Sequence, residues 1–541
     1  MRLRAVAAAV LAAAVLAGCT AGDPAPSPSP SASEASPEAT IAAPAPAASS
    51  TPSPTPTVET LAWGPTVAEW EDALATARDL PLRRAAGQVI VADLYSRDPA
   101  AAAALVREHH LGGVILMGGA APSADAVAAL AARVQRADDR GWPVWVSADE
   151  EGGIVSRLSG AVPSLPAFMA AGAATDDAAV TEAYRSSAAD MRALGVTVDY
   201  APVADVTLGP ADPIIRTRSA GDDPDAVADT VSAAVAGFVD GGVVPVIKHF
   251  PGHGSVTVDS HAGLPVQERA VTRLARTDMV PFARAIEAGA PVVMLGHIAV
   301  PEWGDDPATL EPEAYAYLRE ELGFTGVAIT DALNMAAVAD GRSQGQVAVR
   351  ALRAGADVLL MPGDVGTVID EIAAAVRDGR LSRDRLDEAA ARSILLARWA
   401  DGLGGEEPSR AYARTFAAAG TTVAAQDCDR PLVRRRATVV GGPDDAVRAL
   451  VRELESHGVE VGDGGTSIAL LSSGGYRATA DVVVSLGGPW GLFDSTADAY
   501  VATYGDSAAA IRGLADVLLG DAEPGGDWPV ELAGAMPACA A

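Results

Sequence analysis

From residue 60 to 400 the chain alternates short, unbroken apolar runs with longer stretches in which apolar residues recur every three or four positions. Eight runs stand out: 88–94, 112–118, 143–149, 196–203, 243–250, 291–298, 326–333 and 356–363. Each is rich in Val, Ile and Leu without strict apolar–polar alternation. That is how strands covered on both faces read, and it predicts a parallel sheet. The stretches between them, such as 125–137 and 223–239, have helical spacing. Several end in a glycine just before the next run (Gly141, Gly195, Gly241, Gly289, Gly355), as helix C-termini often do. Eight strands with helices between them predict an α/β fold, a (β/α)₈ TIM-type barrel. A doubly wound open sheet is the alternative, but no dinucleotide-type glycine fingerprint follows the first run.

Polar residues cluster where the runs end. Asp149 follows the third, Asp205 the fourth, Lys248 and His249 the fifth, His297 the sixth and Asp331 the seventh. In a barrel these ends converge on one face, where active sites are built. Beyond 400 the pattern changes. Residues 401–435 are polar and read as a linker, and 436–541 read as a smaller α/β sandwich-like domain. Its Gly441-Gly442 pair suits a turn better than a phosphate-binding loop.

Composition narrows the class of protein. The net charge of −30 argues against nucleic acid or an anionic membrane surface as partner. Aromatic residues make up only 4%, so no large stacking platform is expected. At the N-terminus, Arg2 and Arg4 precede a small-apolar run from Ala5 to Ala17, shorter than the roughly 20 residues that span a bilayer. It reads as a signal segment over 1–19. The run ends in Leu16-Ala17-Gly18-Cys19, which resembles a bacterial lipobox and implies lipidation at Cys19. Residues 20–59, rich in Pro, Ser and Ala, read as a disordered tether. The expected location is the outer face of the cell membrane, with membrane contact only through the lipid. The remaining cysteines, Cys428 and Cys539, could form one disulfide in an exported chain, although nothing in the sequence fixes their distance.

The densest chemistry lies in KHFPGHGSVTVDSHAGLP, residues 248–265. Four of the seven histidines fall between His249 and His297. In Asp259-Ser260-His261, residues i and i+2 point the same way in an extended loop, so the aspartate can hold the imidazole's tautomer and raise its basicity. Asp331, in AITDALNM, can be a nucleophile, a general base or a metal ligand. Metal binding is the weaker reading, because the histidines lack close helical spacing. A serine hydrolase using Ser255 or Ser260 is a rival, without a G-x-S-x-G elbow near either.

These motifs, together with ADEEGG, RTRS and ITDALNM, resemble glycoside hydrolase family 3 over residues 60–400, and within it the β-N-acetylglucosaminidase branch. The resemblance implies Asp331 as nucleophile and His261 as acid/base, oriented by Asp259. It implies sugar-binding roles for Asp149, Arg157, Arg218, Lys248 and His249. The expected function is a retaining exo-β-N-acetylglucosaminidase acting on muropeptides or chitin fragments, without cofactor or metal. A phosphorylase with the same site, a β-glucosidase or xylosidase, and a catalytically dead sugar-binding lipoprotein are the alternatives. The companion domain is smaller than is usual for the family, so no substrate contact is carried over to it.

Overall fold

A computed structural model describes residues 59–339, 341–472 and 477–540. The expected signal segment, Cys19 and almost all of the tether lie outside the described residues.

All eight apolar runs contain strands: β1 (Ile90–Leu94), β2 (Gly113–Leu116), β3 (Trp145–Ala148), β4 (Val198–Asp199), β5 (Val244–Phe250), β6 (Val292–Leu295), β7 (Val327–Thr330) and β8 (Leu359–Leu360). They pair in parallel in the order β8-β1-β2-β3-β4-β5-β6-β7. A parallel bridge between Ile329 and Val358 brings the two ends of the sheet together, with Thr330 N–H donating to Val358 O at 3.0 Å. The result is the expected (β/α)₈ barrel.

The helices around the barrel follow their sequence signals. The first, α1 (Val67–Asp79), starts in a capping box of Thr66 and Glu69. In α2 (Ala124–Gln135), Val127, Leu130, Ala131 and Val134 are buried, one apolar stripe at helical spacing. The start of α3 (Pro224–Asp240) combines an Asp223 cap with proline at the first turn. The last barrel helix, α4 (Arg383–Gly402), returns to α1: Trp399 meets Trp63 edge-on at 5.2 Å, and Arg383 donates to Leu80 O at 2.8 Å.

β5 is the longest strand, and all seven of its residues are buried. Its register against β6 shifts between Ile247 and Phe250. Lys248 and His249 sit in this irregularity, the kind of local break that re-aims side chains next to active sites.

The second sheet contains β9 (Thr422–Ala425), β10 (Arg436–Val440), β11 (Glu460–Val461), β12 (Thr466–Leu471), β13 (Val482–Ser485) and β14 (Ala499–Ala502), in the order β9-β14-β13-β12-β10-β11. Among the described strands of this sheet, only β9 and β14 pair antiparallel. The helices α5 (Tyr412–Ala419), α6 (Asp444–Ser456) and α7 (Ala508–Leu519) accompany it.

The span read as a linker, 401–435, therefore holds a helix and an edge strand. Tyr412, Ala413, Phe416, Ala417 and Ala418 in α5 are buried. Too few large apolar residues mark the segment for its polar surroundings to have suggested a core element.

A C-terminal strap joins the barrel to this sheet. Asp527 N–H donates to Ala173 O at 2.8 Å, and Glu531 N–H donates to Asp222 Oδ2 at 2.8 Å. At the sheet end, Cys539 N–H donates to Val423 O at 2.7 Å, and Cys539 is disulfide-bonded to Cys428, 111 residues away.

Candidate active site

The floor of the site starts at the end of β3. After Asp149 the chain turns through a small hairpin, Glu150–Gly152 against Val155–Ser156. The turn depends on Gly152, whose φ is +89°; a Cβ there would lie 2.2 Å from Pro166 O. The hairpin presents Glu151 inward, to a cation on each side. Lys248 Nζ lies 2.6 Å from Glu151 Oε1 and 2.8 Å from Asp149 Oδ1. Arg218 donates to both Glu151 oxygens, at 2.8 and 2.9 Å. Burial opposes a charge on Glu151, but Arg218 and Lys248 overcome it and hold the carboxyl far below its usual range. Burial likewise opposes the charge on Lys248, and Asp149 and Glu151 outweigh it, so the ammonium is retained.

Asp205, fully buried after β4, organises the next segment. Its Oδ2 lies 2.7 Å from His249 Nδ1, and its Oδ1 accepts from the backbone N–H of His249 at 3.2 Å and of His253 at 2.6 Å. Despite burial, His249, His253 and the backbone keep its carboxyl below the usual range.

Asp331 follows β7. Its carboxylate accepts from Ala332 N–H at 2.7 Å. Burial alone would raise its pKa, but the imidazoles of His297 and His249, the Ala332 N–H and the Lys248 charge together lower it. It is therefore held as a carboxylate. His297 is buried between Thr309 Oγ1, 2.8 Å from Nδ1, and Ala332 O, 2.9 Å from Nε2, and so braces the Asp331 turn.

His261 and Asp259 pair as their spacing suggests. Asp259 Oδ1 lies 2.8 Å from His261 Nδ1 and also accepts the His261 backbone N–H at 2.8 Å. This leaves Nε2 without a hydrogen-bond partner among the described residues, and the side chain is 68% exposed.

Asp149, Arg157, Arg218, Lys248, His249, His261 and Asp331 all line one cleft of about 370 Å³. Asp259 reaches it through His261. Arg157 is exposed and has no ion-pair partner among the described residues, whereas Lys248 and Arg218 are tied into the floor. Sequence reasoning gave no role to Glu151, although it stands two residues after Asp149. It also missed His253, which sits in the same histidine-rich motif, and Tyr95 and Asn334, whose types carry no comparable signal.

Neither serine has the surroundings of a nucleophile. Ser255 Oγ accepts from Gln267 Nε2 at 2.6 Å. Ser260 Oγ lies 3.1 Å from His253 Nε2, but His253 Nδ1 has no partner among the described residues, so no carboxylate orients that imidazole as a triad requires. The described residues do gather three possible metal ligands, His457, Asp516 and Asp521, in the second domain, where Arg414 already engages both Asp516 oxygens.

Residues 82–396 match the family model described as Glycosyl hydrolase family 3 N terminal domain. Beta-hexosaminidase LpqI of Mycobacterium tuberculosis is 38% identical over 307 residues, covering 55% of this chain and 78% of that protein. The solved glycoside hydrolase family 3 beta-N-acetylglucosaminidase from Paenibacillus sp. str. FPU-7 shares the fold with a TM-score of 0.72 at 28% identity, covering 84% of this chain and 99% of its own. The solved M. tuberculosis LpqI gives a TM-score of 0.56 at 32% identity, over 62% and 98%. With a family model across most of the barrel and these relatives beside it, the chain belongs to glycosyl hydrolase family 3 and is a glycoside hydrolase.

Proposed function

We propose that this protein is a retaining exo-β-N-acetylhexosaminidase that removes terminal β-linked N-acetylglucosamine. The observation that carries this reading is the meeting of Asp331, held ionised after β7, with the Asp259–His261 pair in one cleft. The names of the relatives, beta-hexosaminidase and beta-N-acetylglucosaminidase, point the same way. In this mechanism Asp331 attacks the anomeric carbon while His261 Nε2–H protonates the departing glycosidic oxygen. A glycosyl ester on Asp331 results. The now neutral His261 then takes a proton from water, the hydroxide displaces Asp331, and the sugar leaves with net retention. Asp259 fixes the imidazole tautomer throughout. Asp149 offers its carboxylate to sugar hydroxyls, and the exposed Arg157 at the cleft donates to hydroxyls or the acetamide. Lys248, Arg218 and His249 complete the sugar-binding wall.

Cell-envelope material, muropeptide or chitin fragment, is the proposed source of substrate, with an exported, lipid-anchored location. The Cys428–Cys539 disulfide supports an oxidising compartment. Turnover of p-nitrophenyl N-acetyl-β-glucosaminide beside the matching glucoside, each with and without phosphate, tests the reading. The expected result is preference for the acetamido sugar, with free sugar released. Sugar 1-phosphate as product would assign the same site to a phosphorylase, and preference for the glucoside would reject the amino-sugar assignment.

A further inference from the structure

We propose that His253 and Ser260 form a latch that holds the acid/base loop over the cleft, making Ser260 a positioning residue for His261. The inference rests on the acid/base reading of His261 given above. Of the three residues in Asp259-Ser260-His261, only the middle one is buried: Ser260 is 3% exposed, while the Asp259 and His261 side chains are 36% and 68% exposed. The loop is anchored at both ends. Val256 N–H donates to His253 O at 3.3 Å, Gln267 Nε2 to Ser255 Oγ at 2.6 Å, and Ala299 N–H to Pro265 O at 2.9 Å. Among the described residues, the hydrogen bonds made by 257–264 are internal to that segment except one, between Ser260 Oγ and His253 Nε2 at 3.1 Å. That single contact is the loop's mid-span attachment to the barrel.

His253 is suited to be the fixed half of the latch. It is buried, and its backbone N–H is held by Asp205 Oδ1 at 2.6 Å, on the same carboxylate that meets His249 Nδ1. The next residue, Gly254, lies so close to the barrel wall that a Cβ there would be 2.3 Å from Val206 O. The tautomer follows from the unpartnered Nδ1. A proton there would bury a bare N–H, whereas a proton on Nε2 leaves only an unused lone pair, the less costly orphan. His253 therefore donates, Ser260 Oγ accepts, and the serine keeps its own O–H for the cleft that it lines. One relay, from Asp205 through His253 to Ser260, thus ties the acid/base loop to the wall carrying His249. A general acid must sit within hydrogen-bond reach of the leaving oxygen, so a loop free to swing would cost proton transfer first.

The test compares kcat/KM, which reports the glycosyl-transfer step and not the shared hydrolysis of the glycosyl ester, on N,N′-diacetylchitobiose, which needs protonation of its leaving oxygen, with that on the p-nitrophenyl glycoside, which needs little. Ser260→Ala is expected to lower kcat/KM on the disaccharide about tenfold and on the aryl glycoside no more than about twofold. Ser260→Thr keeps the hydroxyl, and His253→Gln places an amide donor near the position of Nε2; both are expected to retain the disaccharide kcat/KM that Ser260→Ala loses. Equal losses on the two substrates, or no loss, would overturn the latch. His261→Ala separates the levels: if it shows no leaving-group dependence, the acid role itself falls. If His261→Ala does and Ser260→Ala does not, only the latch falls.

Discussion

At the scale of single residues, burial acts on two carboxylates of the barrel with opposite outcomes. Asp331 is kept charged by imidazoles, a backbone N–H and Lys248, whereas Glu150, one residue from Asp149, is pushed up to about 7 by burial. Asp331→Ala is expected to abolish turnover even of an activated aryl glycoside; substantial residual rate would refute its role as nucleophile.

Glu150 makes a pH prediction. Its folded pKa lies above the unfolded value of 4.5, so between these two values the folded chain holds a proton that the unfolded chain has lost. Stability then falls as pH rises through that window and levels off above it, by about 3 kcal/mol in all. Glu150→Gln should remove this loss. Melts at about pH 5 and pH 8 should show a smaller decline for the variant than for the parent, and parallel profiles would count against a raised Glu150. The depressed carboxylates, Glu151, Asp205 and Asp331, act in the opposite sense: they stabilise above their unfolded values and lose that contribution on acidification.

At the scale of elements, what was legible in the sequence depended on how much apolar signal each element needs. The barrel strands are buried on both faces and read as unbroken Val/Ile/Leu runs, so all eight were visible. The residues Asp149, Lys248, His249 and Asp331 were visible as polar ends of such runs. Strand β9 is a four-residue edge strand next to Gly420, and β14 is four residues of modest size, so neither carries enough pattern to stand out. Glu151 was hidden for a different reason. It is a charge on a three-residue hairpin strand, and its value comes from Lys248 and Arg218, 97 and 67 residues away. Periodicity does not encode that kind of pairing.

The hairpin yields its own prediction. Gly152→Ala would place a Cβ against Pro166 O at a positive φ, so the turn must shift and carry Glu151 with it. KM should rise more than kcat falls, because sugar binding loses its floor while Asp331 stays in place. A loss confined to kcat would argue that the hairpin does not shape binding.

At the scale of the whole molecule, a strap ties the barrel to the second sheet, and a disulfide closes that sheet's own domain. The Cys428–Cys539 loop is long, and closing long loops in the unfolded chain is where a cross-link has most entropy to remove. Replacing both cysteines with serine should cost about 2–5 kcal/mol of stability. Because neither cysteine lines the catalytic cleft, kcat at low temperature should be nearly unchanged. Denaturant titration beside an activity assay checks both statements, and an unchanged midpoint would show that the bridge adds nothing.

The strap also orders events in time. Glu531 bonds Asp222 across 309 residues, and Asp222 closes the barrel segment that carries Arg218. A chain made or exported N-terminus first can close its eight-stranded ring long before residue 531 arrives, since domains generally fold as units during synthesis. The proposed nucleophile Asp331 would then be in place early and Arg218 would already have Glu151 as its partner, while the outer end of that segment, at Asp222, waits for the strap. Closing the barrel and clamping its outer segment are in this sense separate milestones in the life of one molecule.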